Sequence, residues 1–474
     1  MNKSTDNIKT LLLRLPDNIE KPGDRNEVLQ HYGITVISAY LKENGFDVTL
    51  LDAHVLKLNR KTLFKSIIDV QPDILGVPLY TQRLGQAISF LADLKKLIPR
   101  LVIVAGGPHP STAYEDLLLN TDAVDIAVIG EGEYTLKDII ECIEQDSDLS
   151  SNNGIAYKVG NEITVTPARG FIQDLDALPF ADWQALPMDK YWYPYTIKKN
   201  FTNMVLSRGC RYSCTFCGSK SALGRKVRRR SIENALAEIE LLYNRFKVRQ
   251  IVFNDSTFNS DNSWVDEFCE GLLRKNYSLM WECNIRGHLV DKHTLQMMKK
   301  SGCVRLFLGV ESADNRMLKR MKKGESIEEI EEAVRIIDEV GITTTYGFIL
   351  GMPGQDLVSM DKTLKFASKL TKGLCQFSIA KPYPGTAFFT EAQQAGFVVD
   401  DWSKIDLTGI PYVANGLSRE VMQEYQNKAE KLTRTPSLRF SFLVKQLKEI
   451  KSFINFKIKL AYVMRLCKHR FIRV

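Results

Sequence analysis

Three cysteines, Cys210, Cys214 and Cys217, stand in the stretch Ser-Arg-Gly-Cys-Arg-Tyr-Ser-Cys-Thr-Phe-Cys-Gly. The C-x3-C-x2-C spacing lets one short loop offer three thiolates to one iron–sulfur cluster. A [4Fe–4S] cluster ordinarily takes four thiolates, so three leave one iron open to a substrate or cofactor. Soft sulfur donors favour iron–sulfur or zinc over hard cations. Zinc would want a fourth nearby Cys or His, and none follows closely. Cys142, Cys269, Cys283, Cys303, Cys375 and Cys467 are scattered and read as buried or inert thiols.

The loop resembles the cluster-binding loop of the radical S-adenosylmethionine (radical SAM) superfamily. The resemblance implies that S-adenosylmethionine chelates the open iron through its amino and carboxylate groups. It also implies that an electron from the cluster cleaves it to methionine and a 5′-deoxyadenosyl radical. From residue 202 onward, apolar runs alternate with helical patterns. Strands are expected at 202–207, 250–254, 279–285, 304–310, 343–350 and 376–381, which suggests an incomplete (β/α)6 barrel. In such barrels active sites gather at the carboxyl ends of the strands, where the cluster loop and the other candidates fall.

Asp255, where relatives often carry two adjacent acids, is expected to accept a hydrogen bond from the ammonium of S-adenosylmethionine. Arg286 is expected to meet its carboxylate bidentately, and His288 stands where relatives often have an acid. Glu311, with Ser312 beside it, suits hydrogen bonds to ribose hydroxyls or the amino acid group. The run Gly347 to Gly354, with Ile349 inside it, would let adenine lie against backbone. Further pieces of the family pattern are Leu318 to Gly324 and Pro382-Tyr383-Pro384-Gly385-Thr386.

The first 150 residues alternate strand and helix five times, which implies a doubly wound parallel sheet. Strands are expected at 9–15, 47–52, 73–79, 101–105 and 125–129. Ligands bind such sheets at the carboxyl ends of the strands. There lie two glycine-rich turns, Gly106-Gly107-Pro108-His109 and Gly130-Glu131-Gly132-Glu133. This segment resembles the flavodoxin-like cobalamin-binding domain that precedes the barrel in one large radical SAM subgroup. The resemblance implies that Gly106, Gly107, Gly130 and Gly132 contact cobalamin. Cobalamin domains that ligate cobalt from below carry Asp-x-His-x-x-Gly after the first strand. Here that place reads Arg14-Leu15-Pro16-Asp17-Asn18, so no histidine ligand is expected from this loop. His109 reads as a turn or pocket-wall residue.

Four regions are expected: a cobalamin-binding-like domain over 1–150, a hairpin and linker over 151–200, the barrel over 201–396, and a helical C-terminal region over 397–474. The N-terminal Met-Asn-Lys-Ser-Thr-Asp-Asn has no apolar core, and no run approaches the ~20 apolar residues of a spanning helix. Nine cysteines without a secretory signal suggest a reducing, cytoplasmic setting. Residues 431–474 hold twelve Lys/Arg against the single acid Glu449, while the rest of the chain has 52 basic and 55 acidic residues. Within 437–466, Leu443, Leu447, Ile450, Ile454 and Ile458 follow helical spacing among lysines. Such a basic amphipathic helix fits either a peripheral contact with an anionic membrane or a helix packed on the protein. A nucleic-acid groove is disfavoured, because the positive charge is confined to the tail.

The resemblance is strongest to the branch with the anaerobic Mg-protoporphyrin IX monomethyl ester cyclase and hopanoid-modifying enzymes. It implies a cobalamin-dependent methyltransferase acting on an unactivated carbon of a small apolar, lipid-like or tetrapyrrole substrate, served by an electron donor such as flavodoxin or ferredoxin. The alternative is an oxidative cyclase or rearrangement enzyme. A tRNA methylthiotransferase would carry three more cysteines in its first domain, and this one has only Cys142. A non-catalytic cobalamin-binding protein need not keep an open-iron triad.

Overall fold

The computed structural model describes residues 8–22, 29–193, 195–198, 200–397, 409–414 and 416–434. The basic helix expected over 437–466, and with it the membrane contact, lies outside the described residues.

The first sheet holds β1 (Lys9–Arg14), β2 (Asp47–Asp52), β3 (Ile74–Pro78), β4 (Val102–Gly106), β5 (Ile126–Val128), β6 (Ile155–Val159) and β7 (Glu162–Val165). Its order is β2-β1-β3-β4-β5-β6-β7. The first five strands are parallel, and the order 2-1-3-4-5 is that of flavodoxin-like sheets. The hairpin β6–β7 continues the sheet antiparallel. Its sequence reads as part of a linker. Burial of Ile155 and Ala156 recruits it to the sheet instead.

Side chains alternate across a strand, so Leu11-Leu12-Leu13 of β1 serves two layers. Leu11 and Leu13 pack with Leu75, Val77 and Ile103 in one core. Leu12 faces the other way, in a core with Ile74 and Val104 that runs on into the barrel. Between the domains, Leu175, Leu178, Trp183 and Leu186 join this second core. Trp183 Nε1 donates to Glu238 Oε1 at 2.8 Å, and Tyr191 Oη donates to Asp52 Oδ2 at 2.7 Å. The stretch that reads as connecting structure is therefore packed between the two sheets.

The second sheet begins with β8 (Phe201–Met204). A short strand β9 (Ser207–Arg208) follows and pairs antiparallel with β10 (Arg228–Arg229). Then come β11 (Gln250–Phe253), β12 (Met280–Ile285), β13 (Cys303–Glu311), β14 (Thr343–Leu350) and β15 (Leu374–Ile379). The order β15-β14-β13-β12-β11-β8 is sequential and all parallel, an open six-stranded barrel wall. Its helices start where the local chemistry directs. Ser231, Asp261, Asp291 and Asp356 each accept a backbone N–H as N-caps, and Ser326 forms a capping box with Glu329. The helix Arg419–Arg434 packs Met422, Tyr425 and Ala429 with Leu350 and Ile379.

Candidate active site

The cluster loop leaves β9 through Gly209, whose φ is +97° and whose missing Cβ would lie 2.1 Å from Lys226 O. No other residue fits there. Cys210 N–H donates to Gly224 O at 3.1 Å, and Thr215 N–H donates to Met321 O at 2.9 Å. Thr215 O accepts from Phe388 N–H at 2.9 Å. These bonds tie the loop to the barrel and leave three half-buried thiols, Cys210, Cys214 and Cys217. Among the described residues no three Cys, His, Asp or Glu side chains converge as they would around a single ion. Three thiols on one loop are the donor set that a [4Fe–4S] cluster with one open iron would take. Ser219 Oγ lies 3.3 Å from Cys217 Sγ, and Arg286 Nη1 lies 3.6 Å from Cys214 Sγ. Burial pushes the Cys214 thiol up, and Lys323 and Arg286 pull against it.

Arg286 does not hold a free fork toward a carboxylate. Its Nε pairs with Glu325 Oε1 at 2.8 Å, its Nη2 donates to Lys323 O, and its guanidinium stacks 3.6 Å from the Tyr212 ring centre. Tyr212 Oη sits 3.0 Å from His288 Nε2, and His288 Nδ1 sits 3.5 Å from the same Glu325 oxygen. Glu325, fully buried, is thus shared by Arg286, His288 and Lys323. Nothing about its residue type marks it in the sequence, although it directly follows the Leu318 to Gly324 piece of the family pattern. Asp255 is likewise engaged by the protein itself. Its Oδ2 accepts from Leu206 N–H at 3.2 Å and its Oδ1 from Ser207 Oγ at 2.5 Å. It braces the stem of the cluster loop, and burial raises its pKa against those bonds.

Glu311 and Ile349 do meet, in a cavity of about 390 Å³ in the barrel mouth, with Phe216 of the cluster loop, Phe307, Gly347 and Met352. Glu311 has φ +64°, where the β13–β14 register shifts. A non-glycine residue held there is strained, and such strain persists where the surroundings over-determine it. Lys323 Nζ lies 3.3 Å from Glu311 Oε1. Gly309 makes the room: a Cβ there would come 2.5 Å from the same oxygen. Ser312 is elsewhere. It is fully buried, with Oγ 3.3 Å from Thr363 Oγ1 and accepting from Asp314 N–H at 3.2 Å, and it lines neither of the two site cavities.

A second cavity, about 540 Å³, lies between the domains. Gly106, Gly107, Gly130 and Gly132 line one side, and Gly218, Ser219 and Ala222, just past Cys217, line the other. Gly107 and Gly130 have φ of +94° and +93°, and nothing stands within 4 Å of where a Gly130 Cβ would be. A Cβ at Gly107 would instead press on Leu79 O at 3.3 Å and one at Gly132 on Ile37 at 3.0 Å, so the turns stay bare and suit a large flat ligand pressed to the backbone. Apolar walls come from Ile34, Ile37, Val104, Val128 and Leu136. His31 and Tyr80 also line it. His31 Nδ1 accepts from Ile34 N–H at 3.3 Å and its Nε2 lies 2.7 Å from Tyr80 Oη, so both ring nitrogens are engaged. Burial, helped by Arg14, lowers His31 to about 4. His109 is fully buried behind its turn, with Nδ1 3.0 Å from Thr81 Oγ1, and burial lowers it to about 4.

The radical SAM superfamily model matches residues 204–367, and the B12 binding domain model matches residues 25–140. An uncharacterized methyltransferase of Pyrococcus horikoshii is 28% identical over 363 residues, 76% of this chain and 78% of that protein. The anaerobic magnesium-protoporphyrin IX monomethyl ester cyclase of Rubrivivax gelatinosus is also 28% identical, over 76% of this chain, and the match spans 65% of the cyclase. In fold, the chain is similar to the radical S-adenosylmethionine methyltransferase TsrM of Kitasatospora setae, solved with cobalamin and a [4Fe–4S] cluster. The TM-score is 0.71 at 17% identity, covering 90% of this chain and 89% of that one.

Proposed function

We infer that this chain, which belongs to the radical SAM superfamily and carries a B12-binding domain ahead of its barrel, methylates an unactivated carbon of a small apolar, lipid-like or tetrapyrrole substrate. The observation behind this reading is the shared cavity, with glycine turns on one wall and the cluster loop on the other. When bound, the cluster and S-adenosylmethionine supply a carbon radical and cobalamin a transferable methyl group.

Cys210, Cys214 and Cys217 would hold the cluster. Glu311 and Ile349 are the residues that would hold S-adenosylmethionine in the barrel mouth, with Arg286 and Asp255 fixing the loop beside it. Gly106, Gly107, Gly130 and Gly132 would lie against the corrin. The apolar walls keep water from the reacting carbon. A low-potential donor such as flavodoxin or ferredoxin would supply the electron. No helix among the described residues is long and apolar enough to cross a membrane. The basic pattern of the tail suits contact with an anionic surface, where an apolar substrate would partition.

The test is anaerobic purification with cobalamin supplied, then quantification of iron and corrinoid in the washed protein. About four iron and one cobalamin per chain support the reading. Iron without cobalamin sinks methyl transfer. The similarity to a cyclase keeps a second outcome in view. A product heavier by one methylene assigns methylation, and a product that has only lost hydrogen assigns cyclisation.

A further inference from the structure

The Gly130-Glu131-Gly132-Glu133 turn also joins the two domains. Its acids point across the boundary to the stem of the cluster loop. Arg208 Nη1 lies 2.9 Å from Glu131 Oε1 and its Nη2 lies 2.5 Å from Glu133 Oε1. Arg228, paired with Arg208 across the β9–β10 ribbon, places Nη1 2.8 Å from Glu131 Oε2. All four side chains are buried, with exposures of 12% and 2% for the arginines and 6% and 4% for the acids.

The remaining bonds close the set. Arg228 donates to Ile172 O at 2.6 Å and Leu223 O at 2.8 Å, and Glu131 Oε2 accepts from Ile172 N–H at 2.7 Å. Burial alone would lower the Arg208 pKa, and Glu133 and Glu131 more than reverse this, so it stays charged. Two cations face two anions, and each buried charge has its partners.

Position gives this set its meaning. Arg208 is two residues before Cys210, and Glu131 stands between Gly130 and Gly132. The four charged residues therefore connect one ligand cradle to the other. We propose that Arg208 and Arg228, held by Glu131 and Glu133, are positioning residues that couple cobalamin seating to cluster-loop order. The proposal rests on the reading that both groups bind.

The physical step is one of order. Ligation of the three thiols fixes the loop, and a fixed stem presents Arg208 to its acids at less entropic cost. Held acids in turn keep the glycine turn in the conformation that receives the corrin. By linkage, a bound corrin favours the ordered loop by the same factor.

Hydroxocobalamin is titrated anaerobically into the full chain, once with its cluster reconstituted and once stripped of iron, and binding is followed by absorbance. In the wild type the cluster is expected to tighten binding about tenfold, within the usual range of coupled sites. Arg208→Gln should shrink that ratio below about twofold, a residual coupling near the limit of detection. Arg208→Lys, which keeps the charge without the fork, should fall between. Glu133→Gln leaves Arg208 only its Glu131 contact across the boundary and should fall between the wild type and Arg208→Gln. Melting curves identify any variant that does not fold, and the wild-type ratio stands without variants. A merely structural role would weaken both titrations equally and leave the ratio unchanged. Equal affinities with and without the cluster in the wild type overturn the coupling while leaving the functional reading intact. Absence of cobalamin binding in both wild-type forms overturns the functional reading, and the coupling with it.

Discussion

The two sheets present the carboxyl ends of their strands to one cavity and prepare it in opposite ways. The N-terminal wall is made by omission: glycines at 106, 107, 130 and 132 expose backbone, and the surrounding side chains are aliphatic. The barrel side is made by addition: the loop whose flanks, Arg208 and Gly218, reach that cavity carries three thiols, with Arg286, Glu325, His288 and Lys323 packed beside it. A large flat ligand is recognised by area and shape, so the first wall needs access to the main chain. A charged inorganic cluster is recognised by donor atoms and by the field around them, so the second needs side chains that themselves need buried partners. The first wall should therefore tolerate polar substitution poorly in binding and well in folding. For the charged network of the second, the reverse should hold.

Replacing Cys214 by Ala gives the largest effect and separates the walls. Iron, its visible absorbance and S-adenosylmethionine cleavage should fall to background, while the variant still binds hydroxocobalamin. If cleavage survives after anaerobic reconstitution, the cluster assignment fails. Glu325→Gln comes next. It leaves the Arg286 and Lys323 charges short of a partner, so thermal or denaturant unfolding should show a loss of roughly 3–5 kcal/mol. A change under 1 kcal/mol would mean that the network behind the thiols is not a closed set.

His109 tests the N-terminal side by pH. Its folded pKa, lowered from 6.5 to about 4, means the unfolded chain binds the proton first. Stability should be full above pH 6.5 and decline as pH falls toward 4, by about 3 kcal/mol from this residue. His109→Asn should flatten that part of the melting-temperature profile. An unchanged slope assigns the acid sensitivity elsewhere. The smallest effect is Gly130→Ala. The positive φ costs about 1–2 kcal/mol in a residue with a Cβ, and that Cβ enters the cradle. Cobalamin affinity should drop more than stability does, with iron content unchanged. Loss of iron in this variant would break the separation of the two walls.

Much of the fold was legible because parallel strands buried on both faces announce themselves as short apolar runs. The strands Asp47–Asp52 and Thr343–Leu350 coincide with their expected bounds, and the rest lie within a few residues of theirs. The hairpin β6–β7 was legible as a hairpin but not as part of the sheet. Its turn chemistry is local, and its partner β5 is chosen by packing. Among site residues, the cysteine triad needed only spacing along one loop. Position at strand ends singles out Asp255 and Arg286 as candidates, but their partners Ser207 and Glu325 lie 48 and 39 residues away. The sequence has no signal for which of two hydrogen-bonding roles a strand-end carboxylate takes.

What this sequence determines by itself is the set of short-range facts: three thiols in one loop, glycines where φ must be positive, and the βα alternation that sends both sets to the same ends of their strands. Those follow from spacing, sterics and periodicity, which act over a few residues. Only the tertiary structure decided that the Gly-Glu-Gly-Glu turn and the Arg208 stem touch, that Glu325 closes a charge network, and that one cavity sees both walls. These depend on how two sheets pack across a shared core. Burial selects that packing collectively, and it then leaves each charge whatever partner the geometry supplies.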